Sequence, residues 1–349
     1  MAWSARISGL PYDRAIDPSL VNHLACPACG GDLRGSYDAP EDGVVVSGTL
    51  ECGGCGASYP VVRGIPRMNV AMAGLDRVAK TFDVEWKAHH EGRFEDSTLW
   101  GRTPEETWED LLTRMMVPAE QVEGAVALDA GCGSGQFTRQ LAVHGAALVI
   151  GMDVSGAVDE AAELCRDLPN AQFVQGNVLA PPFKPGVFGL VWCSGVLHHT
   201  PDAAGGHRAL SRLVKPGGVL YVYVFAKRFN PFRFTKDVLD ALRVTRLPPR
   251  ALLALSKAFA YVSVALLWPY RMLRRLPGLR PRGAWGQRTV RPRSVRHLHL
   301  TWFDALSPEH DSRHTEAEVI GWFEQAGFTD IRAVEEPKVG VRGVAPGSR

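Results

Sequence analysis

LDAGCGSGQF, residues 128–137, decides the fold. The apolar run AVALDA (125–130) leads into it, and a helical pattern through TRQLAVH (138–144) follows at once. Strand, glycine loop and helix in succession form the junction at which α/β proteins hold nucleotides. Gly131, Gly133 and Gly135 have no Cβ, so a ligand can approach the backbone closely. Dinucleotide enzymes use a related turn, so the loop alone does not name a chemistry. Its spacing is GxGxG rather than GxGxxG, and an acidic residue, Asp129, stands at the end of the strand before it.

Moving outward, further strand patterns follow at ALVIGMD (147–153), AQFVQG (171–176), FGLVWCS (188–194) and GGVLYVYVFA (217–226). Helical stretches separate most of them, the alternation of a parallel sheet. Near the C-terminus, Thr315 and Glu318 make a capping box for TEAEVIGWFEQA (315–326), with Gly327 placed to close the helix. FTDIRAVEE (328–336) and VGVRGVA (339–345) complete seven strands. The expected fold is α/β, with a doubly wound, seven-stranded Rossmann-like sheet.

Five regions are expected: a lead-in (1–22), a cysteine-rich module (23–70), a helical connector (71–122), the sheet domain (123–226 and 301–349) and an insert (227–300). Of the 349 residues, 46% are hydrophobic and 22% charged, which excludes large-scale disorder. The net charge of +2 conceals a strong asymmetry. Residues 227–300 hold 17 Lys or Arg against only Asp237 and Asp240, a local charge of +15 on an otherwise acidic body. No basic stretch followed by an apolar run opens the sequence, so no signal peptide is expected.

Seven cysteines are present, and four of them form two CxxC pairs, CPACG (26–30) and ECGGC (51–55). Each CxxC turn lets two thiolates point at one ion, and Gly30 and Gly56 permit the tight backbone that follows. Cys26, Cys29, Cys52 and Cys55 would make a closed tetrahedral site for structural Zn²⁺, with iron or a redox dithiol as the alternatives. Closure leaves no position for water or substrate, which argues against catalysis there. This usage suits a reducing cytoplasm better than a secreted disulfide framework.

HLACPACGGDL (23–33) with LECGGCGASYPVVRGIPRM (50–68) resembles the small zinc-ribbon family that includes the activator subunit of tRNA and protein methyltransferases. That resemblance implies a module that stabilises or adapts a methyltransferase, here fused in cis. The glycine loop, GMDVS (151–155), VWCSGVLHHTPD (191–202) and LVKPGGVLYVYV (213–224), in that order, resemble the class I S-adenosylmethionine-dependent methyltransferases, particularly those acting on small molecules and lipids. By that resemblance Asp129 faces the methionine amino group, and Gly131, Gly133 and Gly135 line the methionine and ribose. Asp153 takes the ribose hydroxyls, and Val154 lies against the adenine. Asn177, in QGNVLAPPF (175–183), stands where the family usually has Asp and contacts the adenine amine through its carbonyl. Val178 and Ser194 complete the pocket. Plain core packing is the competing account of Val154 and Val178.

His198 and His199 follow the fourth strand, where the resemblance puts the transferred methyl. Either could accept a proton near neutral pH, or simply hold a loop. FDALSPEHDSRHT (303–315) brings Asp304, His310, Arg313 and His314 as further polar groups at the expected pocket mouth. Cys132 and Cys193 read as small packing residues. No Asn-Pro-Pro-Tyr-like run occurs in 181–202, which counts against exocyclic adenine amines and glutamine as acceptors. In the insert, ALLALSKAFAYVSVALLWPY (251–270) is followed by RMLRRLPGLRPR (271–282). This pairing suits a lid over a hydrophobic substrate, peripheral contact with an anionic membrane through 250–282, or phosphate contacts on nucleic acid. A membrane span would strand the last strands on the other side of the bilayer and is rejected. The expected function is methyl transfer to a small-molecule or lipid-like acceptor by a cytoplasmic or membrane-associated protein. An RNA methyltransferase and a non-catalytic scaffold are the rivals.

Overall fold

The computed structural model describes residues 18–37, 47–70, 75–90, 103–227, 238–239, 242, 244–273, 295–334 and 339–347. The chain divides into two compact units, one of residues 1–83, 102–228 and 310–349, the other of 84–101 and 229–309.

The first unit opens with α1 (Pro18–His23) and a four-stranded antiparallel sheet. Its strands are β1 (Leu33–Tyr37), β2 (Ser47–Cys52), β3 (Ser58–Val62) and β4 (Ile65–Pro66), in that order. The two glycines expected at the cysteine turns adopt left-handed conformations, Gly30 at φ +76° and Gly56 at φ +75°. Helix α2 (Leu75–His90) crosses the division between the units, and α3 (Pro104–Met115) starts in a Thr103–Glu106 capping box.

The main sheet follows with β5 (Val126–Ala130), α4 (Gln136–Val143), β6 (Leu148–Asp153), α5 (Ala157–Leu164), β7 (Ala171–Gln175), β8 (Phe188–Ser194), α6 (Ala203–Ser211) and β9 (Val214–Val224). Strands β5, β6 and β8 are buried almost throughout, as parallel strands covered on both faces must be. The chain then enters the second unit, which contains α7 (Pro249–Leu273) and α8 (Val295–Leu306). It returns through α9 (Glu316–Gln325) to β10 (Thr329–Val334) and β11 (Val339–Val344). The strand order is β10-β11-β9-β8-β5-β6-β7, with β11 antiparallel to both of its neighbours. All seven expected strands are present.

The cysteine-rich module is not a free appendage of this unit. Leu20, Leu24, Leu50, Tyr59 and Met68 share one core with Leu128, Ile150 and Val174 of the main sheet. Each such fully buried apolar side chain contributes about 1.5–3 kcal/mol. Past β4, the Met68 N–H donates to the Gln175 carbonyl (2.7 Å), so the module continues the sheet beyond its β7 edge. Ala25 and Lys184 add backbone bonds to Pro182 (3.0 Å) and His23 (2.9 Å). An exposed edge strand is thereby covered.

In the second unit, α7 and α8 pack through Leu252, Leu300, Phe303 and Leu306. Phe259 stacks on Trp302 at 5.0 Å, and the Trp302 indole N–H donates to Ser263 Oγ (2.8 Å). Helix α8 runs straight through residue 300, the boundary expected from sequence, because its apolar residues on both sides of that point belong to this core. The unit ends at Glu309. Helix α7 includes an 18-residue window, Pro249–Leu266, of mean hydropathy 1.2, long and apolar enough to cross a membrane.

Candidate functional site

The glycine loop leaves β5 at the carboxyl end of the sheet. Gly131 has φ +82°, and a Cβ there would collide with the Val196 side chain. Gly135, also at φ +82°, begins α4, and a Cβ there would lie 2.8 Å from Ala161 Cβ. Two buried carboxylates frame the loop. Asp129 Oδ2 accepts from Thr138 Oγ1 at 2.7 Å. Burial pushes the Asp129 carboxyl up to about 7, against the lowering effect of the Thr138 hydrogen bonds. Asp153 Oδ2 accepts from the Gly133 N–H (3.0 Å), and its Oδ1 from the N–H (2.9 Å) and Oγ (2.7 Å) of Ser155. Burial raises Asp153 as well, opposed by the Ser155 hydrogen bonds.

The remaining sequence-derived pocket residues gather around the same strand ends. Ser194, at the end of β8, is half-buried. Val154 is half-buried and Val178 is buried in the core. Asn177 is buried, and its Oδ1 already accepts from the Leu179 N–H at 3.0 Å, closing a local turn. Two further side chains reach the turn after Asp153. Asn69 Nδ2 donates to the Val154 carbonyl (2.8 Å), and the Asp83 carboxylate accepts from the Gly156 N–H. Neither lies in a recognisable motif.

The two histidines occupy a short helical turn (Leu197–His199) and are both buried. His198 stacks on Phe225 at 3.8 Å and its backbone carbonyl accepts from the Ser312 N–H. His199 Nδ1 lies 2.9 Å from the His310 carbonyl. A carbonyl only accepts, so Nδ1 carries the proton and Nε2 the lone pair of the neutral ring. Residues 310–314 run beside the histidine pair and bond to the extension of β9 through the His314 N–H and the Phe225 carbonyl (3.0 Å). Arg313 lies over the Phe225 ring at 5.8 Å. His310, Arg313 and His314 thus border the histidines, whereas Asp304 belongs to the second unit. Cys132 and Cys193 are buried with thiols pushed up by burial, inert packing residues.

The four cysteines of the N-terminal module converge. All four Sγ atoms lie within 4.8 Å of one another, with Cys26–Cys55 at 3.7 Å and Cys29–Cys52 at 3.5 Å. Zinc–sulfur bonds of about 2.3 Å place tetrahedral sulfurs about 3.8 Å apart, so the spacing fits that ion and is far too long for disulfides. The Gly54 N–H points at Cys52 Sγ (3.4 Å), and a Cβ on Gly31 would sit 3.1 Å from the same sulfur. Burial raises the Cys26 thiol, but hydrogen bonds from Tyr59 and the backbone win and hold it at about 6. A backbone bond from Gly31 lowers Cys29, yet the Cys55 and Cys52 sulfurs drive it up to about 12. Sulfurs this close cannot all ionise without a cation among them.

Residues 128–222 match the methyltransferase domain family, and residues 17–64 match the Trm112p-like protein family. One chain thus carries a segment similar to the methyltransferase domain family behind a segment similar to the Trm112p-like family. The ubiquinone biosynthesis O-methyltransferase of Albidiferax ferrireducens is 35% identical over 133 residues, 37% of this chain and 52% of that protein. Its counterpart in Pseudomonas paraeruginosa is 33% identical over 130 residues, 36% of this chain and 55% of that one. The chain therefore spans about half the length of these curated relatives. Among solved structures, magnesium protoporphyrin IX methyltransferase from Synechocystis PCC 6803 with bound SAH is 16% identical. The match covers 77% of this chain and 99% of that one, with a TM-score of 0.46. A complex of the Haloferax volcanii Trm112 methyltransferase activator gives 19% identity, 78% and 99% coverage, and a TM-score of 0.46.

The matched part of the methyltransferase domain begins one residue before Asp129 and ends within β9, so it contains both carboxylates and both histidines. The match to the Trm112p-like module ends at Gly64, before the Met68 bond to the main sheet.

Proposed function

We propose that this chain transfers a methyl group from S-adenosylmethionine to a hydroxyl of a small-molecule or lipid-like acceptor. The observation that carries the reading is the pair of buried carboxylates, Asp129 and Asp153, beside a glycine loop in which a Cβ at Gly131 or Gly135 would clash. Asp129 faces the methionine ammonium and Asp153 the ribose. Gly131, Gly133 and Gly135 line the chain between them, and Val154, Asn177, Val178 and Ser194 form the nucleoside and methionine walls. Bound S-adenosylmethionine would supply a methyl group on a sulfonium sulfur, open to displacement by the acceptor oxygen with the thioether as leaving group. His199 Nε2 takes the hydroxyl proton, its tautomer set by the His310 carbonyl. His198, stacked and buried, holds that geometry. Zn²⁺ bound by Cys26, Cys29, Cys52 and Cys55 is structural and keeps the Trm112p-like module folded.

The acceptor class is supported by relatives named for ubiquinone biosynthesis and by α7. Tyr261, Val262 and Leu266 expose 57%, 52% and 73% of their surfaces on that helix, within a segment of charge +15. Such a face suits a lipid-like substrate or the surface of an anionic membrane, reached from the cytoplasm. The decisive experiment supplies methyl-labelled S-adenosylmethionine and purified protein to an extract of the native organism. Label in the organic or small-molecule fraction is expected. Label in RNA would reassign the basic segment to phosphate binding, and no transfer together with no cofactor binding would leave a scaffold.

Affinity for S-adenosylhomocysteine should depend on pH through Asp129. The ligand ammonium needs the carboxylate, whereas the unliganded protein holds the proton up to about pH 7. Binding should thus be about tenfold weaker at pH 6 than at pH 8. In the unliganded protein the same raised value stabilises the fold below about pH 4, and that contribution fades as pH rises through 7. Asp129→Asn should flatten the titration of affinity. A slope that survives in this variant assigns it elsewhere.

His199→Ala should lower kcat by about 10²-fold or more while leaving the S-adenosylhomocysteine Kd unchanged. Unchanged turnover at saturating substrate would take His199 out of the mechanism.

A further inference from the structure

We propose that Asn69, in the segment that follows the last strand of the cysteine-rich module, is a positioning residue for the cofactor site, acting on Asp153 through a single peptide plane. The inference rests on reading Asp153 and Val154 as parts of the nucleoside pocket. Arg67, Met68 and Asn69 follow β4 directly. Met68 enters the core with no exposed surface, and its N–H joins the sheet at Gln175. Its two neighbours reach the start of α5. Arg67 pairs with Asp159 at 2.8 Å, and Asn69 Nδ2 donates to the Val154 carbonyl at 2.8 Å.

The peptide unit between Val154 and Ser155 is therefore held at both ends. Its carbonyl accepts from Asn69 and, at 3.2 Å, from Gln175 Nε2. Its N–H donates to Asp153 Oδ1 at 2.9 Å. Since a peptide is planar, fixing the carbonyl fixes the direction of the N–H, and hence the carboxylate that it orients. Gln175 supplies the longer of the two bonds and Asn69 the shorter, so the module contributes the tighter grip. The cysteine-rich module thereby reaches the cofactor pocket without touching the ligand.

The test measures Kd by calorimetry for S-adenosylhomocysteine and for 5′-methylthioadenosine, which lacks the amino-acid moiety. Asn69→Ala and the isosteric Asn69→Asp, which cannot donate, should weaken both ligands by the same factor, about threefold to tenfold. Asn69→Ala with Gln175→Ala should weaken both further. Metal content and melting temperature should stay at wild-type values in the single variants, so a general loss of structure is distinguishable. Wild-type affinity in Asn69→Ala, or a loss confined to S-adenosylhomocysteine, would overturn the proposal. Failure of the wild-type protein to bind either ligand would instead remove the cofactor reading on which it rests.

Discussion

Asp153→Ala is expected to weaken S-adenosylhomocysteine binding by at least about 100-fold, and Asp153→Asn nearly as much. A carboxylate offers about four lone-pair sites. Three are taken, by the Gly133 N–H and by the N–H and Oγ of Ser155. The fourth, on Oδ2, is the one that the proposed ribose contact would use, and a second would open if Ser155 Oγ rotated away. Alanine removes the ribose acceptor and unties both flanking turns together. Hydrogen bonds to a charged group contribute about 1.5–3 kcal/mol each, and about 2.7 kcal/mol is a factor of 100. Asparagine cannot rescue the site. Both oxygens face backbone N–H groups, so either amide orientation sets an NH₂ against a donor. Calorimetric titration of the two variants, alongside a circular-dichroism check of folding, measures the effect. An asparagine variant that binds like the wild type would take the Asp153 carboxylate out of cofactor binding.

Cys52→Ser should cost the protein its metal and lower its melting temperature by about 10 °C or more. Cys52 is buried at the end of β2, its sulfur 3.5 Å from Cys29 and its N–H bonded to the Ala57 carbonyl. Metal binding is worth about 10–16 kcal/mol in isolated zinc-finger peptides and is spent on folding. Here part of that stability comes from the core shared with the main sheet, so the loss is partial. For a domain of about 200 residues, each 1 kcal/mol shifts the midpoint by about 2–4 °C. Elemental analysis should find one metal per wild-type chain and none in the variant. Cys165→Ala, which alters a buried thiol outside the cluster, should retain the metal. A metal-free variant with the wild-type melting temperature would show that the module stands on packing alone.

The contrast between near and distant contacts explains how much of this could be read in advance. The seven strands were legible because parallel strands buried on both faces appear as short apolar runs. The glycine loop was legible because close approach and positive φ leave little alternative to glycine. The cysteine cluster was equally plain, since each CxxC turn is local and its ligand chemistry restrictive. The end of the insert was not, because α8 carries one continuous apolar face across residue 300 and only its packing against α7 shows where it belongs.

Local periodicity and residue chemistry thus sufficed for the sheet, the cysteine cluster and the placing of Asp129 and Asp153 at strand ends. Three-dimensional packing alone fixed the rest: the module seated along the β7 edge, the His199 tautomer and the grip of Asn69 on Val154. Asn69 and Val154 lie 85 positions apart, and His199 and His310 are separated by 111. Contacts at such range follow no 2.0- or 3.6-residue period. They exist because the assembled core brings together backbone groups that must find partners once water is excluded.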